Sequence, residues 1–228
     1  MQKPYIITIS NLSKVYTEKG SNIRTKALDN INLSIEEGDF AAIAGPSGSG
    51  KTTLLNIIGA LDHPTNGEVT IEGFSLSSLN NAALAEFRLR KLGFVFQAYN
   101  LISTLTTLEN TEYVALLQGT QKIRRRKEAL SILKDLGLAD FISRRPSELS
   151  AGQQQRVAVA RALMTHPKII LADEPTANLD SKTGADLIDL MRLMSQNLGI
   201  TFIFATHDPM VMEKAKTLIR LHDGKIIG

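Results

Sequence analysis

A glycine-rich stretch at residues 45–53 constrains this sequence more than any other feature. It consists of Gly45, Pro46, Ser47, Gly48, Ser49, Gly50, Lys51, Thr52 and Thr53, and it fits the phosphate-loop pattern G-x-x-x-x-G-K-[ST] at every fixed position. Residues 40–44 are typical of a short buried strand, and apolar residues recur at helical spacing over 54–61. Backbone N–H groups in such a loop, together with the start of the following helix, attract an anion. The stretch therefore predicts a site for a nucleoside triphosphate.

Two side chains of this loop have predicted roles at the phosphates. Lys51 would reach the β- and γ-phosphates, and the hydroxyl of Thr52 would hold Mg²⁺. The alternative is a glycine-rich turn that binds nothing. The strand before the loop and the helix after it disfavour that alternative.

A second segment places two carboxylates at the end of an apolar strand. Residues 168–174 are typical of a strand buried on both faces of a parallel sheet, and they end with Asp173 and Glu174. In P-loop enzymes an Asp at such a strand end holds Mg²⁺. A neighbouring carboxylate can orient or deprotonate the attacking water. Solvated carboxylates at a strand end would be weak evidence alone, but the phosphate loop upstream favours nucleotide hydrolysis.

Length and composition limit the class of protein. The chain has 228 residues, 43% of them hydrophobic, which suits one large domain or one domain with a smaller insert. It has no cysteine, and therefore no disulfide scaffold. A net charge of +3 is too small to indicate a nucleic-acid partner. Residues 1–4 do not resemble a signal peptide, and no apolar run approaches the ~18 residues of a transmembrane helix.

The rest of the chain alternates between strand and helix patterns. Residues 122–127 are strongly basic and open a helical pattern, so a solvated helix face is the favoured interpretation and contact with anionic lipid the alternative. Residues 17–22 are typical of a polar turn, and Ser150 of a helix N-cap. The other predicted elements are strands at 6–10, 32–35, 68–73, 93–96 and 201–206, helices at 80–92, 109–117, 126–136 and 182–197, and a hairpin at 218–227.

A group of landmarks resembles the ATP-binding cassette (ABC) ATPases. Residues 149–156, Leu-Ser-Ala-Gly-Gln-Gln-Gln-Arg, are similar to the signature sequence of that family. Its other landmarks are matched in order by Gln97 and by residues 161–163, 171–176, 177–180 and 205–208. The resemblance extends from Tyr16 to Lys225. One departure is Ala151, which stands where the family most often has Gly.

The resemblance implies a fold and an assembly. The fold would be α/β, with a P-loop NTPase core, a flanking antiparallel β-subdomain and a helical subdomain inserted at about 98–160, all in one ATP-binding domain over 1–228. Two copies would enclose two ATP molecules with Mg²⁺, each phosphate loop facing the signature motif of the other copy. Ser150, Gly152 and Gln153 would contact the γ-phosphate from across that interface. An ordinary capped helix would not need Gly152 and Gln153 beside the cap.

The resemblance also implies roles for single residues. Tyr16 would stack on adenine, and Gln97 would contact Mg²⁺ or the water and sense the γ-phosphate. Glu174 would act on the water, and His207 would bond the γ-phosphate. Asp180 would belong to a loop that crosses the dimer interface. The catalytic set is then Glu174, His207, Gln97 and Lys51, and the metal ligands are Thr52, Gln97 and Asp173.

Three segments indicate one subgroup within this family: residues 27–31, 55–62 and 172–180. They are similar to the ATPases of lipoprotein-releasing and macrolide-export systems and of the cell-division permease group. The implied function is ATP hydrolysis that drives a separate transmembrane permease, with this chain peripheral at the cytoplasmic face of the inner (cell) membrane. The alternative is a regulatory ABC ATPase that signals through a membrane partner and moves no substrate.

Two further classes are disfavoured. ABC ATPases of DNA repair place coiled coils or zinc modules between phosphate loop and signature, whereas here about a hundred compact residues without cysteine intervene. A P-loop kinase would not carry the signature helix.

Overall fold

The fold is built on two β-sheets. The computed structural model describes residues 4–17 and 24–227. The strands are β1 (Tyr5–Thr17), β2 (Arg24–Glu36), β3 (Phe40–Ala44), β4 (Asn66–Ile71), β5 (Phe74–Ser75), β6 (Leu92–Val95), β7 (Ile169–Asp173), β8 (Thr201–Thr206), β9 (Thr217–His222) and β10 (Lys225–Ile226). The helices are α1 (Lys51–Ile58), α2 (Asn81–Lys91), α3 (Thr107–Leu117), α4 (Lys122–Asp135), α5 (Ala151–Leu163), α6 (Ser181–Leu198) and α7 (Pro209–Lys214).

The two sheets differ in strand direction. One is antiparallel, with the order β2-β1-β4-β5, and the other has the order β10-β9-β3-β8-β7-β6. In the second sheet β9, β3, β8, β7 and β6 are parallel, and β10 is antiparallel at the edge. This is the predicted α/β core with a flanking antiparallel sheet.

Both faces of the parallel sheet are buried. Side chains alternate along each strand, so Ile43 and Ile203 pack on the face that α1 and the antiparallel sheet cover. Phe202 and Phe204 pack on the opposite face, among residues of α5 and α6. The prediction that residues 168–174 form a strand buried on both faces is confirmed for β7, in which residues 169–172 are fully buried.

The parallel register brings the strand ends together. Ala44 of β3 lies opposite Thr206 of β8, and Asp173 of β7 lies opposite Ala205. The segments that follow β3, β7 and β8 therefore leave the sheet at one edge. Ligand sites in open α/β sheets form at this carboxyl edge.

The long strands of the antiparallel sheet extend well beyond their predicted ranges. β1 and β2 each contain 13 residues, whereas alternation predicts strands at 6–10 and 32–35. The pairing shifts register between Ile9 and Leu12, where Asn11 has a φ of 50°. An irregularity of this kind reverses the alternation of apolar residues inside a continuous strand. Periodicity alone therefore ends the strand too early.

The sequence does not predict the two short elements β5 and α7, whose patterns are weak. The predicted turn at 17–22 lies, after Thr17, outside the described residues, and so does most of residues 1–4. Nowhere in residues 4–17 and 24–227 is there a helix of the length and apolar character needed to cross a membrane.

Helices α3, α4 and α5 occupy the segment between β6 and β7. The bounds 98–160 of the helical subdomain stay a prediction, and α5 continues to Leu163, so the boundary at 160 falls inside a helix. The basic run opens α4 with mostly exposed side chains, as a solvated helix face requires. Arg125 is the partly buried member of the run, with its Nε atom 3.7 Å from a carboxylate oxygen of Glu112.

The central sheet predicts a large stability loss for Phe204→Ala. Phe204 is fully buried, and its ring centroid lies 4.7 Å from that of Phe40. Truncation of a buried Phe leaves a cavity and costs about 3–5 kcal/mol of unfolding free energy. Denaturant unfolding monitored by circular dichroism would measure the loss. Leu198→Ala is the control, since Leu198 is 63% exposed and its truncation should change stability by less than about 0.5 kcal/mol.

Candidate functional site

The loop between β3 and α1 has a backbone that requires glycine. Gly50 is the N-cap of α1 and has a φ of 103°, a conformation that side chains with a Cβ atom disfavour. A Cβ atom there would lie 2.5 Å from the carbonyl oxygen of Ala27. At Gly45 a Cβ atom would lie 2.1 Å from the carbonyl oxygen of Leu221. The neighbouring strands thus fix the loop, and any larger residue at either position would displace it.

Lys51 begins α1 and is almost fully buried beneath this loop. Its Nζ atom donates to the carbonyl oxygens of Gly45 and Pro46, at 2.8 and 2.9 Å. These two partners are neutral carbonyls that carry no opposite charge. This placement suits a role at the phosphates.

Thr52 and Asp173 meet although 121 residues separate them in the chain. The Thr52 hydroxyl donates to Oδ1 of Asp173 across 3.1 Å. Burial raises the pKa of Asp173, the hydrogen bond from Thr52 opposes the rise, Glu174 adds to it, and Lys51 opposes it. The net pKa lies above the ordinary value for Asp. A partly desolvated carboxylate beside a hydroxyl attracts a hard cation.

Glu174 and His207 form a second pair at the same edge. Nδ1 of His207 lies 2.7 Å from Oε1 of Glu174, and the Thr206 hydroxyl donates to Oε2 at 3.3 Å. Glu174 has a φ of 44°, which is strained for a residue with a side chain. Its backbone N–H donates to the carbonyl oxygen of Ala205, at 2.9 Å, and this bond holds the strained residue against β8.

A cavity of about 570 Å³ opens between these groups. It is lined by Thr25, Lys26, Ala27, Pro46, Ser47, Gly48, Gly50, Lys51, Thr52, Thr53, Gln97, Glu174 and His207. The structure therefore brings the predicted loop together with all four predicted catalytic residues. Asp173 is joined to this wall through Thr52.

The three lining residues that the sequence does not predict come from the start of β2. Thr25 and Lys26 belong to no motif, and Ala27 belongs only to the segment 27–31 that indicates the subgroup, with no predicted role at the site. All three reach the cavity because β2 pairs with β1 beside the loop. The close approach of the Ala27 carbonyl to Gly50 fixes their position. Alternation along β2 gives no signal for this role.

Gln97 follows β6, is exposed and lines the cavity. The side chain of Asn178 donates to its carbonyl oxygen, at 3.0 Å, and so ties it to the segment after β7. Asp180 caps α6 by accepting hydrogen bonds from the backbone and hydroxyl of Thr183, at 3.0 and 2.6 Å.

Tyr16 lies beside the cavity and does not line it. It pairs with Thr25 across the antiparallel sheet, and Thr25 does line the cavity. The Tyr16 side chain is 42% exposed, and its hydroxyl donates to Oδ2 of Asp62, at 2.7 Å. Stacking of Tyr16 on adenine stays a prediction.

Ser150 is the N-cap of α5, as predicted. Its hydroxyl accepts from the backbone N–H of Gln153, at 3.3 Å, and the Gln153 side chain accepts from the backbone N–H of Ser150, at 2.9 Å. Among the described residues that line the cavity, none comes from α5. The chain therefore leaves Ser150, Gly152 and Gln153 outside its own site.

Gly152 and Gln153 both have roles in an ordinary capped helix, contrary to the prediction. The cap uses the Gln153 side chain, because Gln153 completes the reciprocal capping box. Gly152 also has a packing role, since a Cβ atom there would lie 2.5 Å from Cγ2 of Thr183. Neither residue by itself distinguishes a phosphate-binding helix from a capped one.

Comparison with known proteins decides the family. The sequence profile described as ABC transporter matches residues 28–177, which is more than half of the chain. The chain belongs to the ABC transporter family. The lipoprotein-releasing system ATP-binding protein LolD of Syntrophus aciditrophicus is 44% identical over 222 residues, which cover 97% of this chain and 99% of that protein. The macrolide export ATP-binding/permease protein MacB of Burkholderia pseudomallei is 49% identical over 201 residues, which cover 88% of this chain and 31% of MacB.

A solved structure confirms the fold of this ABC chain. The dimeric structure of the ATP-binding cassette MJ0796, in a post-hydrolysis state bound to ADP and Pi, matches with a TM-score of 0.88 and 44% identity. The match covers 97% of both chains. The predicted family and α/β fold class are therefore confirmed. The chain is an ATPase cassette of the ABC type.

The raised pKa of Asp173 predicts the effect of Asp173→Asn. Because the folded-state pKa lies above the unfolded value, ionised Asp173 destabilises the folded protein above that pKa, and stability returns as pH falls through it. Asn keeps an oxygen for Thr52 and removes the charge. In EDTA at pH 7, the variant should therefore have a higher unfolding free energy than the parent. It should also lose the added stabilisation that Mg²⁺ gives in the presence of ATP.

Denaturant unfolding with and without Mg²⁺ and ATP would measure both effects. Asp140→Asn is the control, since Asp140 is exposed and lies outside the cavity lining. A variant less stable than the parent in EDTA would contradict the burial of charge at Asp173.

Proposed function

We propose that two copies of this ABC chain bind two ATP molecules between them and hydrolyse them to drive a separate transmembrane permease. The observation that carries the proposal is the convergence of Lys51, Thr52, Glu174 and His207 on one cavity, with Asp173 bonded to its wall. The similarity to LolD and MacB supports a role in lipoprotein release or macrolide export. The chain would then lie at the cytoplasmic face of the cell membrane, bound to its permease.

Mg²⁺ fits the oxygen ligands at the carboxyl edge of the sheet. Mg²⁺ is bound in proteins by one or two carboxylates together with the phosphates of the substrate. Thr52 and Asp173 offer a hydroxyl and a carboxylate 3.1 Å apart, and Gln97 adds an amide from the end of β6. When bound, Mg²⁺ would neutralise charge on the phosphates.

Three residues of this chain would have separate roles at the γ-phosphate: Lys51, Glu174 and His207. Lys51 would exchange its two carbonyl partners for phosphate oxygens, which are stronger acceptors because they are charged. Glu174 would accept a proton from the attacking water, or orient it. His207 bonds Oε1 of Glu174, and the Thr206 hydroxyl donates to Oε2, so the carboxylate is held in a fixed direction toward the attacking water. The exposed ring of His207 would bond the γ-phosphate.

The signature helix supports a site completed by a second copy. Ser150 is exposed at the N-terminus of α5, a 13-residue helix whose end attracts anions. Since this end lies outside the cavity of its own chain, only another chain can bring it to the phosphates. The related cassette MJ0796 is described as a dimer, which agrees with this assembly.

An apolar cavity beside Gln97 suits the permease. It has a volume of about 380 Å³ and lies between the helical segment and the end of β6, with Phe94, Phe96, Ile102, Tyr113 and Leu117 in its lining. Arg161 of α5 donates to the carbonyl oxygen of Tyr99, at 2.7 Å, in the loop that follows Gln97. A permease segment in this cavity would therefore touch residues linked to both the γ-phosphate sensor and the signature helix.

Glu174→Gln tests the hydrolysis mechanism. The change keeps the shape of the side chain and removes the carboxylate, while Lys51, Thr52 and Asp173 still hold nucleotide and metal. ATP hydrolysis should fall by about two orders of magnitude, the usual contribution of a general base. With ATP and Mg²⁺ the variant should accumulate as a dimer in size-exclusion chromatography. Turnover near the parent rate would remove Glu174 from the mechanism.

Mixing two inactive variants tests the composite site. A Ser150→Ala subunit paired with a Lys51→Ala subunit has one intact phosphate loop facing one intact signature. Each variant alone should hydrolyse ATP near background, and the mixture should regain part of the parent activity. The measurement is phosphate release against mixing ratio. Recovery that stays at background despite heterodimers shown by crosslinking would count against independent composite sites.

A second variant separates the cap from the phosphate contact. Ser150→Ala also removes an N-cap, which costs about 1 kcal/mol of stability. Ser150→Asp keeps a good N-cap but directs a carboxylate at the phosphate, so it should keep its stability and lose its activity. An active Ser150→Asp or Ser150→Ala would refute the phosphate contact.

A further inference from the structure

Three side chains from separate parts of the chain meet beside the nucleotide cavity. Lys14 and Tyr16 lie on β1, and Asp62 follows α1. The Tyr16 hydroxyl donates to Oδ2 of Asp62, at 2.7 Å, and Nζ of Lys14 donates to Oδ1, at 2.6 Å. The same Nζ lies 4.7 Å from the centroid of the Tyr16 ring. Each member of the cluster therefore contacts the other two.

Additional bonds fix the cluster to the backbone. Lys14 also donates to the carbonyl oxygen of His63, at 2.7 Å, and Oδ1 of Asp62 accepts from the backbone N–H of His63, at 2.7 Å. The next contact along β1 is the backbone N–H of Val15, which donates to the hydroxyl of Thr65, at 2.9 Å. The segment after α1 is thus tied to β1 at Lys14 and Val15 as well as at Tyr16.

Charge favours this arrangement. Burial raises the pKa of Asp62, but the hydrogen bonds from Lys14 and Tyr16 outweigh burial and bring its pKa below the ordinary value. Burial and the bond to Asp62 raise the pKa of Tyr16. At neutral pH the carboxylate is therefore charged and the phenol is neutral, so Tyr16 donates and Asp62 accepts.

We propose that Asp62 and Lys14 are positioning residues that hold the Tyr16 ring as a platform for the purine base. The proposal rests on the proposed function, since it takes ATP as the ligand. The ammonium of Lys14 covers one face of the ring, and the 42% exposure of Tyr16 leaves surface for a base to stack. A ring already fixed by its hydroxyl loses little further freedom when the base stacks.

The connection through α1 gives the platform a direct link to the phosphates. Lys51 and Thr52 begin this helix, and Asp62 lies just beyond its end. Helix α1 therefore connects the phosphate end of the site to the base end, since the backbone N–H of Asp62 donates to the carbonyl oxygen of Asn56 in that helix, at 3.3 Å. The competing interpretation is a structural clamp that joins β1 to the 62–65 segment and has no effect on the ligand.

Binding of ADP and of inorganic pyrophosphate separates the two interpretations. Pyrophosphate offers phosphates without a base, so only ADP uses the platform. Calorimetric titration in Mg²⁺ of Asp62→Ala and of Tyr16→Phe should show ADP binding about 2- to 10-fold weaker, the range expected for ordering one side chain. Pyrophosphate binding should be unchanged in both. Asp189→Ala is a matched control, since exposed Asp189 also bonds a lysine, Lys214, on another part of the surface.

A double-mutant cycle tests the dependence on the ring. Tyr16→Ala should weaken ADP binding more than Tyr16→Phe, and Asp62→Ala should add nothing further in the Tyr16→Ala background. Equal losses for ADP and pyrophosphate in Asp62→Ala would overturn the proposal in favour of the structural clamp. The proposal would also be overturned if Asp62→Ala and Tyr16→Phe both bound ADP as tightly as the parent does.

The cycle also distinguishes this proposal from the function on which it rests. If Tyr16→Ala binds ADP as the parent does, the role of Tyr16 at the base is wrong. If Tyr16→Ala binds ADP weakly while Asp62→Ala and Tyr16→Phe bind it as the parent does, the role of Tyr16 at the base stands. Only the positioning by Asp62 and Lys14 is then wrong. If Asp62→Ala does not fold, Tyr16→Phe tests the proposal instead. This variant keeps the ring and the Asp62–Lys14 ion pair and removes only the hydrogen bond from the Tyr16 hydroxyl to Asp62.

Discussion

The parallel pairing of β3, β8 and β7 is the constraint on which the candidate site depends. Ala44, Thr206 and Asp173 end their strands within one residue of each other across the sheet. Both faces of these strands are buried, so the register cannot shift without moving apolar side chains out of the core. The residues proposed to bind phosphate, metal and water are therefore held at one edge by the core.

Within that frame, local hydrogen bonds hold single residues in conformations that they would not adopt alone. Glu174 has a positive φ, and its backbone bond to β8 and side-chain bond to His207 keep it there. A strained residue at a functional site gives a fixed direction to the carboxylate. Rotation of His207 would release one of those bonds. Contact of His207 with a γ-phosphate would thus be coupled to the orientation of Glu174.

The N-terminus of the signature helix α5 combines a structural cap with the proposed phosphate contact. The capping box of Ser150 and Gln153 satisfies the first N–H groups of α5, and Gly152 allows close packing on Thr183. These features stabilise one chain whether or not a second copy binds. The exposure of Ser150 and the position of α5 outside its own cavity are what favour a shared site.

Residues that work through local spacing could be predicted from the sequence, and residues that work through contacts distant in the chain could not. The phosphate loop, the N-cap at Ser150 and the end of β7 each follow from neighbouring residues, because glycine geometry, capping and apolar runs act over a few positions. Alternation failed along β1, where a bulge reverses it. Only the tertiary structure placed Thr25–Ala27 in the cavity wall and Asp62 at the hydroxyl of Tyr16, since strand pairing and side-chain hydrogen bonds join residues that no sequence period relates.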